Sequence, residues 1–179
     1  MKQTTQVYTK YSTEDPTRLE TIVRKRKLRT LFPDEILVEM CFVPLHGSFW
    51  LAADPRNIHP RKEEFMAEGG FAFGNGGVAR VAAVGRNVSM VSPNDFVTIF
   101  GHTPCENPLC YACTVLHRYT ECDTGNAKIL GHGKGALDGT FSTFVILPSW
   151  SYELLFKAAE SPSRTDLLGA MYAFLMADV

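Results

Sequence analysis

The stretch that most constrains the fold is "DEILVEMCFVPLHG", residues 34 to 47. There Ile36, Val38 and Met40 alternate with Leu37, Glu39 and Cys41 until Pro44 and Gly47 stop the run. A period of two puts successive side chains on opposite faces of a strand, and such a strand needs partners on its edges. The sequence supplies them. "LETIVRKRKLRT" (19 to 30) reads as a strand, with Pro33 and Asp34 turning the chain toward the next. "GNGGVARVAAVGRNVSMVSPNDFVTIFG" (74 to 101) reads as two strands around a turn that includes Pro93, Asn94 and Asp95. "GHGKGALDGTFSTFVILP" (131 to 148) carries a hairpin signal at Asp138-Gly139, two residue types that tolerate the positive φ of a tight primed turn. Cys41, at the end of an apolar strand, is expected to be a small buried hydrophobe.

Residues 53 to 70 are rich in Pro, Asn, Gly and charge, and are expected to form a long surface loop of the kind that lines binding sites. The texture changes after Pro148. Over 163 to 177, "SRTDLLGAMYAFLMA", Ser163 and Asp166 suit the first turn of a helix as a capping pair, and Leu167, Leu168, Met171, Phe174 and Leu175 form its apolar stripe. That stripe has to pack on the β-structure or on chain outside this sequence. The class predicted is mainly β with a few helices (α+β).

With 45% hydrophobic and 21% charged residues in 179, the chain can bury one good core. A net charge of -1 gives no reason to expect nucleic acid. The densest basic run, Arg24-Lys25-Arg26-Lys27 with Arg29, sits in a strand-like segment without interleaved aromatics and is expected to be a solvated strand or edge. No apolar run approaches the roughly 20 residues of a membrane span, and the N-terminus lacks a signal-peptide core. A cytoplasmic location is therefore expected.

Four of the five cysteines fall in "CENPLCYACTVLHRYTEC", 105 to 122: Cys105, Cys110, Cys113 and Cys122. In a reducing compartment such clusters are more often metal ligands or reactive thiols than disulfides. Three readings stand: a zinc site, an empty lobe of free thiols, and a disulfide or redox role for Cys110-Tyr-Ala-Cys113.

The order of these features ("PDEILVEM", "PLHGS", "GNGGVARVAAVGRNVSMVSPNDFVTI", a four-cysteine lobe, "DGTFSTFVILP") resembles the N-terminal catalytic domain of the medium-chain dehydrogenase/reductase superfamily. That superfamily includes zinc alcohol dehydrogenases, quinone oxidoreductases and enoyl thioester reductases. The resemblance implies a GroES-like irregular β-barrel over residues 1–150, with the cysteine lobe at 105–122. It further implies a linking helical segment over 151–179 that leads toward a Rossmann domain binding NAD or NADP. No counterpart of that domain is seen in this sequence. "GNGGVA" and "GHGKGA" lack the G-x-G-x-x-G spacing of a dinucleotide-binding turn.

The resemblance also assigns site residues. Where the family's zinc enzymes carry a catalytic cysteine and histidine, this sequence has His46 and Asn75. A neutral amide is a poor zinc donor beside thiolate or imidazole, so a catalytic zinc is not expected. "GNGG" is similar to the Gly-Asn-Glu of enoyl thioester reductases with Gly76 in place of Glu, and Ser48 matches the serine of the metal-free reductases, with Phe49 where an Asp would stand. His46, Ser48 and Asn75 are thus the candidate catalytic residues, with His46 as a proton donor and Ser48 as a relay. The lobe is similar to the family's structural zinc site, spaced Cys-x2-Cys-x2-Cys-x7-Cys. Here the spacing is x4, x2 and x8, so Asn107 and Pro108 have to bulge between the first two ligands.

The function so implied is the substrate-side domain of an NAD(P)-dependent oxidoreductase that reduces a carbonyl or activated double bond of a small molecule. Its dinucleotide-binding part would come from further chain or from a partner subunit, and the protein could be a homo-oligomer. The alternative is a non-enzymatic GroES-like zinc-binding interaction module without a cofactor domain.

Overall fold

In a computed structural model, the described residues are 2–11, 14–15, 19–45, 71–105, 107–116, 118, 121–122, 124, 128–130, 139–148 and 151–177. Ten strands run through them: β1 (Gln3–Tyr11), β2 (Leu19–Lys27), β3 (Glu35–Phe42), β4 (Phe71–Ala72), β5 (Gly77–Val84), β6 (Phe96–Ile99), β7 (His102–Thr103), β8 (Lys128–Ile129), β9 (Phe144–Pro148) and β10 (Tyr152–Phe156). Two helices join them, α1 (Tyr111–Thr114) and α2 (Arg164–Ala177), with a 3-10 turn at Ala158–Glu160. The expected mainly β class with few helices is observed.

The strands form a five-stranded antiparallel sheet, ordered β10-β6-β5-β3-β9, a three-stranded sheet, β2-β1-β4, and a two-stranded ribbon, β7-β8. Within the 34 to 47 run, β3 is the second strand in from one side of the large sheet, flanked by β5 and β9. Its alternation feeds two cores. Ile36 and Val38 are fully buried with Val81, Val97, Ile99 and Val145, whereas Leu37 packs with Leu28 and Ile146 on the other side. Burying an aliphatic side chain of this size contributes about 1.5–3 kcal/mol.

Cys41 departs from expectation, being exposed. Met40 pairs with Ala79 and Phe42 with Val78, neighbours on β5, so Cys41 is the extra residue of a bulge and loses its place in the inward-outward alternation. Leu19–Lys27 is a strand as predicted, at the edge of its sheet. The Arg24 guanidinium lies 3.4 Å from the Tyr8 ring centroid and donates to Gln6 Oε1 at 3.1 Å, so the basic run lies on the sheet. The two sheets meet where Thr4 Oγ1 donates to Phe144 O (2.8 Å) and Thr143 N donates to Thr5 O (2.9 Å).

One carboxylate, that of Glu35, fixes the connection between β2 and β3. Arg29 donates to both oxygens of Glu35 at 2.6 Å, and Phe32 N–H adds a third bond at 2.8 Å. Burial alone would raise the Glu35 carboxyl, but these donors and the Arg29 charge hold it below its ordinary range. The β5–β6 turn has Asn94 at φ 74, as its Pro-Asn-Asp sequence predicts.

The expected linking segment from residue 151 begins inside the large sheet. Residues 152–156 pair with β6 before the chain reaches its 3-10 turn and α2. α2 is capped as predicted: Ser163 N–H donates to Asp166 Oδ2 at 2.8 Å, and Asp166 N–H donates to Ser163 Oγ at 3.2 Å. Leu167 is buried and Arg164 stands 5.7 Å from the Phe42 ring, so the helix start packs on the β-structure. The 53 to 70 loop and Asp138 of the hairpin signal lie outside the described residues.

Candidate functional site

The cysteine lobe leaves the large sheet at the end of β6 on a short neck. Leu130 N–H donates to Gly101 O at 2.8 Å, and beyond it His102 pairs with Ile129 and Thr103 with Lys128. The fully buried Leu130 anchors the return in the main core.

Inside the lobe, the widened first gap folds as a turn. Asn107 Oδ1 accepts from Leu109 N–H at 3.0 Å and Asn107 O accepts from Cys110 N–H at 3.1 Å, so residues 107–109 bulge outward, as expected. α1 then starts directly after Cys110, which puts Cys113 on the same face one turn later. Thr114 Oγ1 closes the helix on Cys110 O at 2.8 Å.

The result brings Cys105, Cys110, Cys113 and Cys122 together, with all four Sγ atoms within 4.8 Å of one another. Cys110 Sγ and Cys122 Sγ are 3.9 Å apart. Four thiolates on a tetrahedral zinc, with bonds of about 2.3 Å, would sit about 3.8 Å apart. A disulfide needs about 2.05 Å, and none of the four cysteines is in one. Cys105, Cys110 and Cys113 are buried. Burial pushes the Cys113 thiol up to about 12, with the neighbouring thiols adding to the shift. Ionised sulfurs at this spacing need a cation among them, which a divalent metal supplies. Cys105 is shifted the other way, by a hydrogen bond from Thr124 and by the Asn107 backbone. Four soft donors with no open position match a structural zinc site.

Asn75 belongs to a second assembly, at the start of β5. Gly74 has φ +97, and a Cβ there would stand 2.4 Å from Thr140 Oγ1. Thr140, fully buried, holds the loop from the opposite strand end: Oγ1 donates to Gly76 O at 2.8 Å, Gly76 N–H approaches Oγ1 at 3.4 Å, and Thr140 N–H donates to Gly74 O at 3.0 Å. From the other side Gly101 presses on the loop, since a Cβ on it would lie 2.2 Å from the Asn75 carbonyl. Asn75 is half-buried, and its amide makes no hydrogen bond with another described residue. The backbone is thus fixed on both flanks while one polar amide is left available.

His46 and Ser48 lie outside the described residues, so of the three candidate catalytic residues only Asn75 is placed. The four predicted metal ligands are brought together. Sequence reasoning missed Thr140, Gly101 and Thr124. Thr124 carried a weak signal, standing two residues after the last cysteine. Thr140 acts across 64 residues of chain and carried none.

No family model matches this sequence, and no curated protein matches it. Solved structures do. An alcohol dehydrogenase from Thermotoga maritima is 19% identical over 96% of this chain and 45% of its own, with a TM-score of 0.67. A thermostable alcohol dehydrogenase from Pyrobaculum aerophilum is 14% identical over 95% and 44%, with a TM-score of 0.65. A crotonyl-CoA carboxylase/reductase is 17% identical over 85% and 33%, with a TM-score of 0.62. This chain therefore spans less than half the length of each of them. Over its matched part it shares the fold of these dehydrogenases and reductases.

Proposed function

We propose that this chain is the substrate-side domain of an NAD(P)-dependent medium-chain oxidoreductase that reduces a carbonyl or an activated double bond without a catalytic zinc. The observation that carries this is the Gly74–Gly77 loop, clamped by Thr140 and Gly101 around Asn75, an amide at the position where the resemblance puts the imidazole of the zinc enzymes. We read the two sheets joined along β1 and β9 as parts of a GroES-like barrel, a domain over residues 1–150 with its lobe at 105–122. Of residues 151–179, β10 completes the large sheet, and the segment after it with α2 forms the link to a dinucleotide-binding domain supplied by further chain or by a partner subunit.

In this reading the Asn75 amide donates a hydrogen bond to the substrate oxygen on which negative charge develops, the role of an oxyanion-hole donor. His46 supplies the proton and Ser48 relays it. NADPH or NADH, when bound, supplies the hydride. Cys105, Cys110, Cys113 and Cys122 hold a zinc that folds the lobe and takes no part in turnover. A cytoplasmic location, where thiols stay reduced, suits that ligand set.

The test is NADPH consumption by the full-length product of the reading frame against enones, enoyl thioesters and aldehydes. Turnover that falls about a hundredfold in Asn75→Ala supports the assignment. A full-length product that binds no nicotinamide dinucleotide contradicts it.

That second outcome would favour the non-enzymatic interaction module. One observation speaks for the alternative: Leu109, Tyr111, Val115 and Leu116 of the lobe are 45 to 88% exposed. Apolar residues grouped at the surface mark contact sites.

A further inference from the structure

Thr124 stands beside the four-cysteine cluster without being one of its candidate ligands. Its Oγ1 is 3.3 Å from Cys122 Sγ. The same side chain hydrogen-bonds Cys105. One hydroxyl thus touches the first and the last cysteine of the cluster, which are the ligands at the ends of its two longest chain spacings. Cys110 and Cys113, by contrast, are held together by one turn of α1.

Once the four sulfurs are ionised on a metal they carry no hydrogen, and a hydroxyl at 3.3 Å can only donate. Outer-sphere donors of this kind withdraw charge from a thiolate and fix its direction, and removing one commonly costs ten- to a hundredfold in metal affinity. We infer that Thr124 is a positioning residue for the metal centre, its one hydroxyl proton shared in a bifurcated hydrogen bond between the Cys105 and Cys122 thiolates so that it closes the two ends of the lobe on the ion.

The inference rests on the proposed zinc site. It explains how the ligand set stays together although neither Cys105 nor Cys122 lies on α1: Thr124 crosses between them where regular structure does not. Thr124 is itself exposed, so replacing it leaves no buried void.

The test uses the whole chain and Zn2+ in competition with a chromophoric chelator, on wild type, Thr124→Ser, Thr124→Val and Thr124→Ala. A second readout is the thiolate-to-metal charge-transfer absorption after Co2+ replacement, which reports sulfur donor strength independently of folding. The expected result is a zinc dissociation constant raised about tenfold in Thr124→Val and Thr124→Ala, near wild type in Thr124→Ser, with a charge-transfer band moved to lower energy only in Val and Ala. Wild-type affinity and an unmoved band in both Val and Ala would overturn the inference. A wild-type chain that binds neither Zn2+ nor Co2+ would overturn the metal site itself.

Discussion

The Lys157 ammonium lies 3.1 Å from Asp95 Oδ2, joining the turn before β6 to the segment that leads from β10 into α2, 62 residues further on. Ala158 N–H donates to Asp95 Oδ1 and Ser92 N–H to Oδ2, each at 2.9 Å. The carboxylate is almost fully buried while Lys157 is half exposed. One acidic side chain therefore fastens the end of the sheet to the helical link.

Replacing Asp95 with Ala leaves two backbone donors and a cation without their partner, and is expected to cost about 3 kcal/mol in denaturant unfolding. Lys157→Ala is expected to cost about 1 kcal/mol or less, because that side chain is solvated. The bond is also pH-dependent. Burial acts to raise the Asp95 carboxyl, but the two N–H donors and Lys157 outweigh it and hold the group below its ordinary value of 3.8. A depressed folded-state pKa means that the contribution is fully present above about pH 4 and is lost as the pH falls through the folded value. Asp95→Asn should flatten that acid limb of the stability curve; an unchanged acid limb would show that other carboxylates set it.

Thr140→Val keeps the side-chain volume but strips the hydroxyl from Gly76 O. A loss of about 1–2 kcal/mol is expected, together with faster amide exchange at the 74–77 backbone, and Thr140→Ser should restore both. Equal exchange in wild type and Val would mean that the loop is held by other contacts.

Gly101→Ala places a methyl 2.2 Å from the Asn75 carbonyl, closer than any real contact, so the backbone has to shift. The expected cost is about 1–3 kcal/mol, and the shift should appear in the Asn75 side-chain amide resonances. Unmoved Asn75 resonances would separate Gly101 from the loop.

The strands were legible where a period of two met a turn residue, as in β3 and in the β5–β6 pair around Asn94. The cap of α2 was legible because Ser163 and Asp166 act on each other locally. The bulge at Cys41 was not, since an extra residue is a mismatch with β5 and leaves no mark on β3 alone. β10 was missed because its five residues follow Pro148 and gain their meaning only by pairing with β6. Of the candidate site, the ligand set could be read from cysteine spacing. The clamp on Gly74–Gly77 could not, because Thr140 and Gly101 act across folds of the chain that no local pattern encodes.

We propose a metal in the lobe and none at Asn75. Metal analysis of the purified chain, combined with X-ray absorption at the zinc edge, tests both halves at once. One zinc per chain, bound by four sulfurs at about 2.3 Å and lost in Cys113→Ser, is the predicted result. A zinc with nitrogen or oxygen ligands, or a metal-free protein with all four thiols open to titration, would contradict it.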